Sequence, residues 1–148
     1  MNETGINAYK QSNVITADPK RLVILCYDRV ISNLKLAQES YVSKDYETKA
    51  KCVQKAQDII CELMNALDFE HGGEVAKNLF SLYNFLNRHI LEADLKMDIK
   101  AISEDIKMLE ELKSAWQGIF YATAKPAGIE PAVVYDRGRE KMAASYRA

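Results

Sequence analysis

Apolar residues recur at alternating steps of three and four along most of the chain, which is the period of helices that pack against one another. The first run follows Asp18 and Pro19, a pair typical of a helix N-cap and first turn, because proline lacks the amide that would need a partner there. The inner positions of this run are Val23, Tyr27, Val30, Leu34, Ala37 and Tyr41. The pattern therefore predicts an amphipathic helix that starts at this pair.

A second helical run follows the polar stretch VSKDYETK, in which Asp45 is placed to cap the helix. The sequence His71-Gly72-Gly73 is predicted to end it, because glycine readily takes the left-handed conformation found at helix C-termini. A third run is expected from about Glu74. The inner positions of these two runs are Tyr46, Ala50, Val53, Ile60, Met64 and Leu67, then Val75, Leu79, Leu82, Tyr83, Leu86, Ile90 and Ala93.

A fourth helix is predicted after Asp98, which is placed to cap it. Four amphipathic helices joined by short connectors predict an all-α fold, an antiparallel up-and-down four-helix bundle over residues 18–121. Residues 1–17 lack the helical period and are expected to form a flexible N-terminal arm. Residues 122–148 are broken by proline and glycine, and are expected to form a tail that could include a short helix. The inner positions of helix four are Ile99, Ile102, Ile106, Leu109, Trp116 and Phe120.

The helices carry more apolar residues than a four-helix core requires. On helix one, Ile24 and Ile31 lie beyond the edge of the inner arc, and Leu25 and Leu36 form a strip nearly opposite it. Because full burial of one large apolar side chain is worth about 1.5–3 kcal/mol, a monomer is not expected to leave all of them bare. The surplus positions on helices three and four are Phe80, Phe85, Leu91, Met108, Leu112 and Ile119.

Several arrangements would cover this surplus. Helix tilt or a fifth helix would enlarge the core, whereas the chain's own tails, a second copy of the chain or a helix of another protein would fill a surface groove. A homodimer in the absence of another partner therefore stays open. A flexible apolar arm such as residues 1–17 is suited to occupy a groove until a partner arrives.

The charge balance narrows the range of partners. The 148 residues contain 20 basic and 21 acidic side chains, for a net charge of −1, so the chain lacks the basic surface that general nucleic-acid binding needs. We see no signal peptide and no apolar run long enough for membrane insertion, and we therefore expect a cytoplasmic protein. Cys26, Cys52 and Cys61 lack the spacing of a zinc site and are expected to be reduced, buried structural thiols.

The sequence presents no constellation typical of an enzyme, a cofactor site or a metal site. Its histidines lack the Glu-x-x-His spacing of metal-binding bundles, and we find neither a phosphate-binding glycine loop nor a nucleophile elbow. Trp116 falls on the inner stripe of helix four and is expected to be a packing residue. The alternative function is a four-helix phosphotransfer or signalling module that uses His89.

Three blocks of the sequence resemble the FliS family of flagellar secretion chaperones. They are residues 8–9, 18–28 and 72–94, and the stretch LEELKSAW at residues 109–116 supports them. The resemblance implies a helical bundle that binds the disordered carboxy-terminal segment of flagellin. It also implies that the chaperone keeps flagellin from polymerising prematurely and holds it competent for the flagellar type III export machinery.

The resemblance further implies that the N-terminal arm, including Tyr9, shields part of the groove when the client flagellin is absent. The surplus apolar face of helix one would then be covered in turn by the arm and by flagellin. The residues expected to contact the client are Ile6, Tyr9, Val14, Ile24, Leu25, Tyr27, Ile31, Phe80, Tyr83, Phe85, Met108, Leu112 and Ile119.

Overall fold

Four antiparallel helices make up the part of the chain that the structure, a computed structural model, describes, which is residues 19–121. They are α1 (Pro19–Val42), α2 (Tyr46–Asn65), α3 (Phe69–Leu95) and α4 (Ile99–Tyr121). Consecutive helices are neighbours, and α4 packs against α1 to close the bundle. The all-α four-helix fold is confirmed. The predicted arm and tail, at residues 1–17 and 122–148, lie outside the described residues.

Two equivalent connectors join α1 to α2 and α3 to α4. Lys44 and Met97 adopt positive φ angles of 63° and 55°, and the amide that follows each donates to a carbonyl five residues back, at 2.8 and 2.9 Å. This is the Schellman arrangement of a helix C-terminus. Its last residue is Asp45 in one connector and Asp98 in the other, and each carboxylate accepts a backbone amide of the next helix, as predicted.

The boundary between α2 and α3 differs from the prediction. α2 ends at Asn65 rather than at the glycine pair, and α3 begins at Phe69, because the Asp68 carboxylate accepts the amides of Glu70 and His71 and caps it. Gly73 has φ 51° and ψ −131°, a backbone conformation that glycine adopts readily but not the left-handed helical one predicted there. It introduces a kink inside α3 instead of ending α2.

The core contains a hydrogen-bonded aromatic cluster as well as aliphatic side chains. Trp116 Nε1 donates to the Tyr27 hydroxyl at 3.2 Å, and the Tyr27 hydroxyl is hydrogen-bonded to that of Tyr83. All three side chains are buried, which confirms Trp116 as a packing residue. Cys26 and Cys52 are buried as predicted, whereas Cys61 is exposed because it lies on the outer side of α2.

Candidate partner-binding surface

The predicted contact residues occupy different environments in the bundle. Tyr27 and Tyr83 are fully buried and Ile31 is 7% exposed. Contrary to the prediction, these three side chains fill the core and offer no surface to a partner in the folded bundle. Five of the predicted contacts are half-buried and pack against the core from its margin: Ile24, Leu25, Met108, Leu112 and Ile119. Ile6, Tyr9 and Val14 lie outside the described residues.

The strip predicted on the outer side of α1 is only partly outside the core. Leu36 is 44% exposed, in agreement with the prediction. Leu25 is half-buried and packs against the core, so a charge at this position would disturb packing as well as any surface contact. This strip therefore offers a partner less exposed apolar surface than predicted.

Polar contacts fix which edge of α4 faces each neighbouring helix. Lys113 pairs with Asp28 and thereby directs its edge of α4 toward α1. Asp105 pairs with His89 at 2.7 Å and directs the opposite edge toward α3. Because side chains three, four and seven positions apart share a helix face, the residues on the α3-facing edge are Ala101, Met108, Leu112 and Ile119.

The contact between His89 and Asp105 also identifies the edge of α3 that faces α4. Counting back from His89 at helical spacing reaches half-buried and exposed apolar residues, namely Phe85, Leu82 and Val75. In the antiparallel register set by His89 and Asp105, these lie beside Met108, Leu112 and Ile119 in that order. From this register we infer that the six apolar residues line one strip between the two helices, which we call the α3/α4 furrow. Phe85 is the one aromatic residue among these six and the most exposed of them, at 41%.

Phe80 does not belong to this furrow. It lies half a turn around α3 from His89, on the edge that faces α2, and its ring packs edge to face on that of Phe69 with the centroids 5.7 Å apart. Phe80 is 38% exposed and Phe69 46%. The structure therefore separates the predicted contacts Phe80 and Phe85, which lie on opposite edges of the same helix.

A hydrogen-bonded pair, the buried Asp105 and the half-buried His89, lies at one end of the α3/α4 furrow. Asp105 is 1% exposed, and its Oδ1 is hydrogen-bonded to His89 Nδ1. The ring of Phe85 stacks on the imidazole with centroids 5.5 Å apart and an interplanar angle of 23°. His89 Nε2 faces Glu104 Oε2 at 3.6 Å. The imidazole of His89 is thus a polar group at the end of the furrow, and the ring of Phe85 covers one of its faces.

The electrostatics of Asp105 follow from its burial. Desolvation raises the pKa of the Asp105 carboxyl to about 6, and the neighbouring His89 opposes part of that rise. The second carboxylate oxygen, Oδ2, is buried without a hydrogen-bond partner among the described residues, which leaves the charged form incompletely solvated. This site was missed from the sequence, although His89 and Asp105 fall on the margins of their apolar stripes.

The same geometry bears on the alternative phosphotransfer function. His89 is held by one carboxylate at 2.7 Å and faces a second at 3.6 Å. A phosphoryl group on either ring nitrogen would place like charges in contact. The stacked Phe85 ring also covers one face of the imidazole. The observed environment therefore disfavours His89 as a phosphate acceptor.

Within residues 19–121, no helix is both long and apolar enough to cross a membrane. This agrees with the charged outer faces of all four helices, on which ion pairs such as Lys35–Glu110 and Lys51–Glu47 are formed.

Comparisons with known proteins point to one family. The family model described as flagellar protein FliS matches residues 1–123. A flagellar secretion chaperone FliS of Salmonella typhimurium is 36% identical over 121 residues, which cover 78% of this chain and 90% of the relative. FliSB of Pseudomonas aeruginosa is 34% identical, covering 74% and 86%, and FliS of Escherichia coli is 31% identical, covering 76% and 87%. The chain therefore belongs to the FliS family of flagellar secretion chaperones.

Proposed function

We propose that this protein is a cytoplasmic export chaperone that holds the carboxy-terminal segment of flagellin in the α3/α4 furrow. Membership of a flagellar secretion chaperone family supports a role in flagellar export. The observation that carries the choice of site is the unbroken line of apolar side chains along two antiparallel helices. An amphipathic helix laid into such a line can cover all of them at once.

The physical basis of the activity is coupled folding and binding. A disordered client segment must be ordered when it binds, at a typical cost of about 2–5 kcal/mol or more. Covering apolar side chains at about 1.5–3 kcal/mol each offsets that cost when several contacts form together. No nucleotide hydrolysis is required, and the same modest net affinity allows release to the export machinery. Sequestering the segment in this way keeps flagellin from associating before export.

The N-terminal arm fits this mechanism as an internal competitor. Ile6, Tyr9 and Val14 supply apolar side chains at irregular spacing, which suits an extended segment better than a helix. An arm that covers part of the furrow in the empty chaperone lowers nonspecific association. The client would displace the arm from the furrow. If Tyr9 of the arm competes with the client, a Tyr9→Ala chain would bind the client more tightly than the native chain.

The direct test is a titration of the full chain with a peptide that comprises the carboxy-terminal segment of flagellin. Binding is followed by calorimetry, and helix formation by far-ultraviolet circular dichroism. We expect saturable binding at micromolar peptide together with a gain of helix. A peptide of the same composition in scrambled order is the control. No binding at about 50 μM, which corresponds to a binding free energy weaker than about −6 kcal/mol, would overturn the proposal.

A further inference from the structure

An exposed apolar patch lies at the α2/α3 seam, outside the α3/α4 furrow. Gln57 Nε2 donates to the Asn87 carbonyl at 3.2 Å and sets the antiparallel register of the two helices. Seven residues further along α2 and seven back along α3, Met64 lies beside Phe80. With Phe69, whose ring contacts Phe80, these residues form what we call the Phe69/Phe80 patch.

The surroundings of this patch are acidic. From residue 58 to residue 87 the chain contains five acidic side chains and a single basic one, Lys77. Lys77 is paired with Glu74 at 3.5 Å on the exposed surface. Asp68 is buried as the cap of α3, so the acidic residues nearer the surface are Asp58, Glu62, Glu70 and Glu74. A segment that covers the patch should therefore combine apolar side chains with positive charge.

The carboxy-terminal segment of this chain has that combination. Ile129, Val133, Val134 and Tyr135 supply apolar side chains. Residues 129–147 contain four basic residues against three acidic ones, and all four basic residues lie within 137–147. The N-terminal arm, residues 1–17, contains one glutamate and one lysine and so lacks the charge complement. The FliS family match ends at residue 123, so this segment lies outside the part shared with the family model.

The segment also leaves the bundle at the right end. α4 ends at Tyr121, and α3 begins at Phe69 at the same end of the antiparallel bundle. The eight residues from 121 to 129 can span about 26 Å at 3.3 Å per residue. Neighbouring helix axes in bundles are about 8–10 Å apart, so this span reaches from α4 across α3 to the α2/α3 seam.

We propose that residues 129–147 dock on the Phe69/Phe80 patch, with the apolar residues on Met64, Phe69 and Phe80 and the basic residues against the acidic surroundings. The contact joins a part of the chain beyond the FliS match to the FliS bundle. It covers a surface that is separate from the furrow assigned to the client, and so it does not depend on the proposed function.

Cys61 is a native reporter of this contact. Its thiol is exposed, accepts a hydrogen bond from Asn87 Nδ2 at 3.4 Å, and lies three residues before Met64 on α2. The other two cysteines are buried, so a small neutral reagent such as N-ethylmaleimide modifies Cys61 selectively in the folded full chain. A docked segment slows this reaction because it shields the α2/α3 seam.

The test compares labelling rates of full-length variants. Replacing Val133 and Val134 by serine changes nothing near Cys61 in the bundle, yet we expect labelling about tenfold faster, which is a loss of docking of about 1.4 kcal/mol. Phe80→Ser should have the same effect, and combining it with the valine variant should add nothing further. Raising the salt from about 0.05 to 0.5 M should also speed labelling of the unmodified chain, because it screens the charge contact.

Two controls keep the result specific. Phe85→Ser removes an aromatic side chain of similar exposure from the α3/α4 furrow and should leave the labelling rate unchanged. Deletion of residues 1–17 should also leave it unchanged, whereas faster labelling after this deletion would assign the patch to the N-terminal arm and overturn the proposal. Equal rates, within twofold, for the unmodified chain and the valine variant would overturn it as well.

Discussion

Tyr83 and Phe85 lie two positions apart on α3, yet the first is fully buried and the second is 41% exposed. Two positions correspond to about 200° around a helix, so their rings point to opposite sides. Tyr83 is hydrogen-bonded within the buried cluster that contains Tyr27 and Trp116. Phe85 stacks on His89 at the rim of the α3/α4 furrow. Tyr83 therefore belongs to the core, whereas Phe85 stays exposed at the proposed binding site.

The largest effect is expected from substitutions of the buried residue, Tyr83. Tyr83→Ala should lower the free energy of unfolding by about 3–5 kcal/mol, because it leaves a cavity and removes a hydrogen-bond partner of Tyr27. Urea denaturation followed by circular dichroism measures this change. Tyr83→Phe keeps the ring and should cost only about 1 kcal/mol. A loss below about 1 kcal/mol for the alanine variant would show that the cluster is not a source of stability.

The next largest effect is expected at Asp105. Burial raises the pKa of the Asp105 carboxyl from its ordinary value of 3.8 to about 6, so the folded state retains a proton that the unfolded state has lost between about pH 4 and 6. This carboxyl therefore favours folding below pH 4 and loses that contribution as the pH rises through 6. Relative to the native chain, Asp105→Asn should become more stable by about 3 kcal/mol from pH 4 to pH 7.

Asp45 provides the control of opposite sign. Hydrogen bonds from Thr48 lower the pKa of the Asp45 carboxyl, so its ionised form contributes stability that is lost as the pH falls through the folded pKa. Asp45→Asn should therefore lose stability relative to the native chain as the pH rises from acid conditions to 7. Denaturation curves at a series of pH values give the free energy of unfolding of each variant and so distinguish the two opposite pH dependences. A parallel pH dependence for both variants would contradict the assignment of burial as the cause at Asp105.

The exposed residue, Phe85, is tested by its effect on binding of the flagellin peptide. Phe85→Asp should weaken binding of the flagellin peptide by about ten- to a hundredfold, because a charge replaces an apolar contact worth about 1.5–3 kcal/mol. Its melting temperature should stay within a few degrees of the native value. Leu91→Asp, on the same helix at 47% exposure but on the other edge, is the matched control. Equal loss of affinity for both variants would mean that the furrow is not the binding site.

The sequence predicted the helices better than their faces. The caps at Asp45 and Asp98 were readable because a carboxylate before an apolar run has a local effect on the next helix. Tyr27 and Tyr83 were predicted both as inner positions of their helices and as client contacts. The structure agrees with the first prediction, because both side chains are buried and their hydroxyls are hydrogen-bonded to each other inside the core. Periodicity assigns a side chain to an arc, but burial depends on the neighbouring helices.

Longer-range features could not be predicted from one helix at a time. The pairing of His89 with Asp105 depends on the register of α3 against α4, which no local signal in the sequence specifies. The same holds for Phe80 and Phe85, which were grouped as surplus positions but face different neighbours. The glycine pair was predicted to end α2, but the irregular backbone that it causes lies inside α3. The reason is that Asp68 caps α3 and starts this helix about one turn before the glycines.

The smallest effect concerns the connector between α1 and α2. Lys44 has φ 63° in the position of a Schellman turn where glycine is normally preferred, because a side chain there costs about 1 kcal/mol. Lys44→Gly should therefore raise the free energy of unfolding by about 0.5–1 kcal/mol, after the entropy cost of glycine is included. Lys51→Gly, at an exposed helical position of α2, should lower it by about 1 kcal/mol. If both glycines destabilise equally, the left-handed turn at Lys44 does not limit stability.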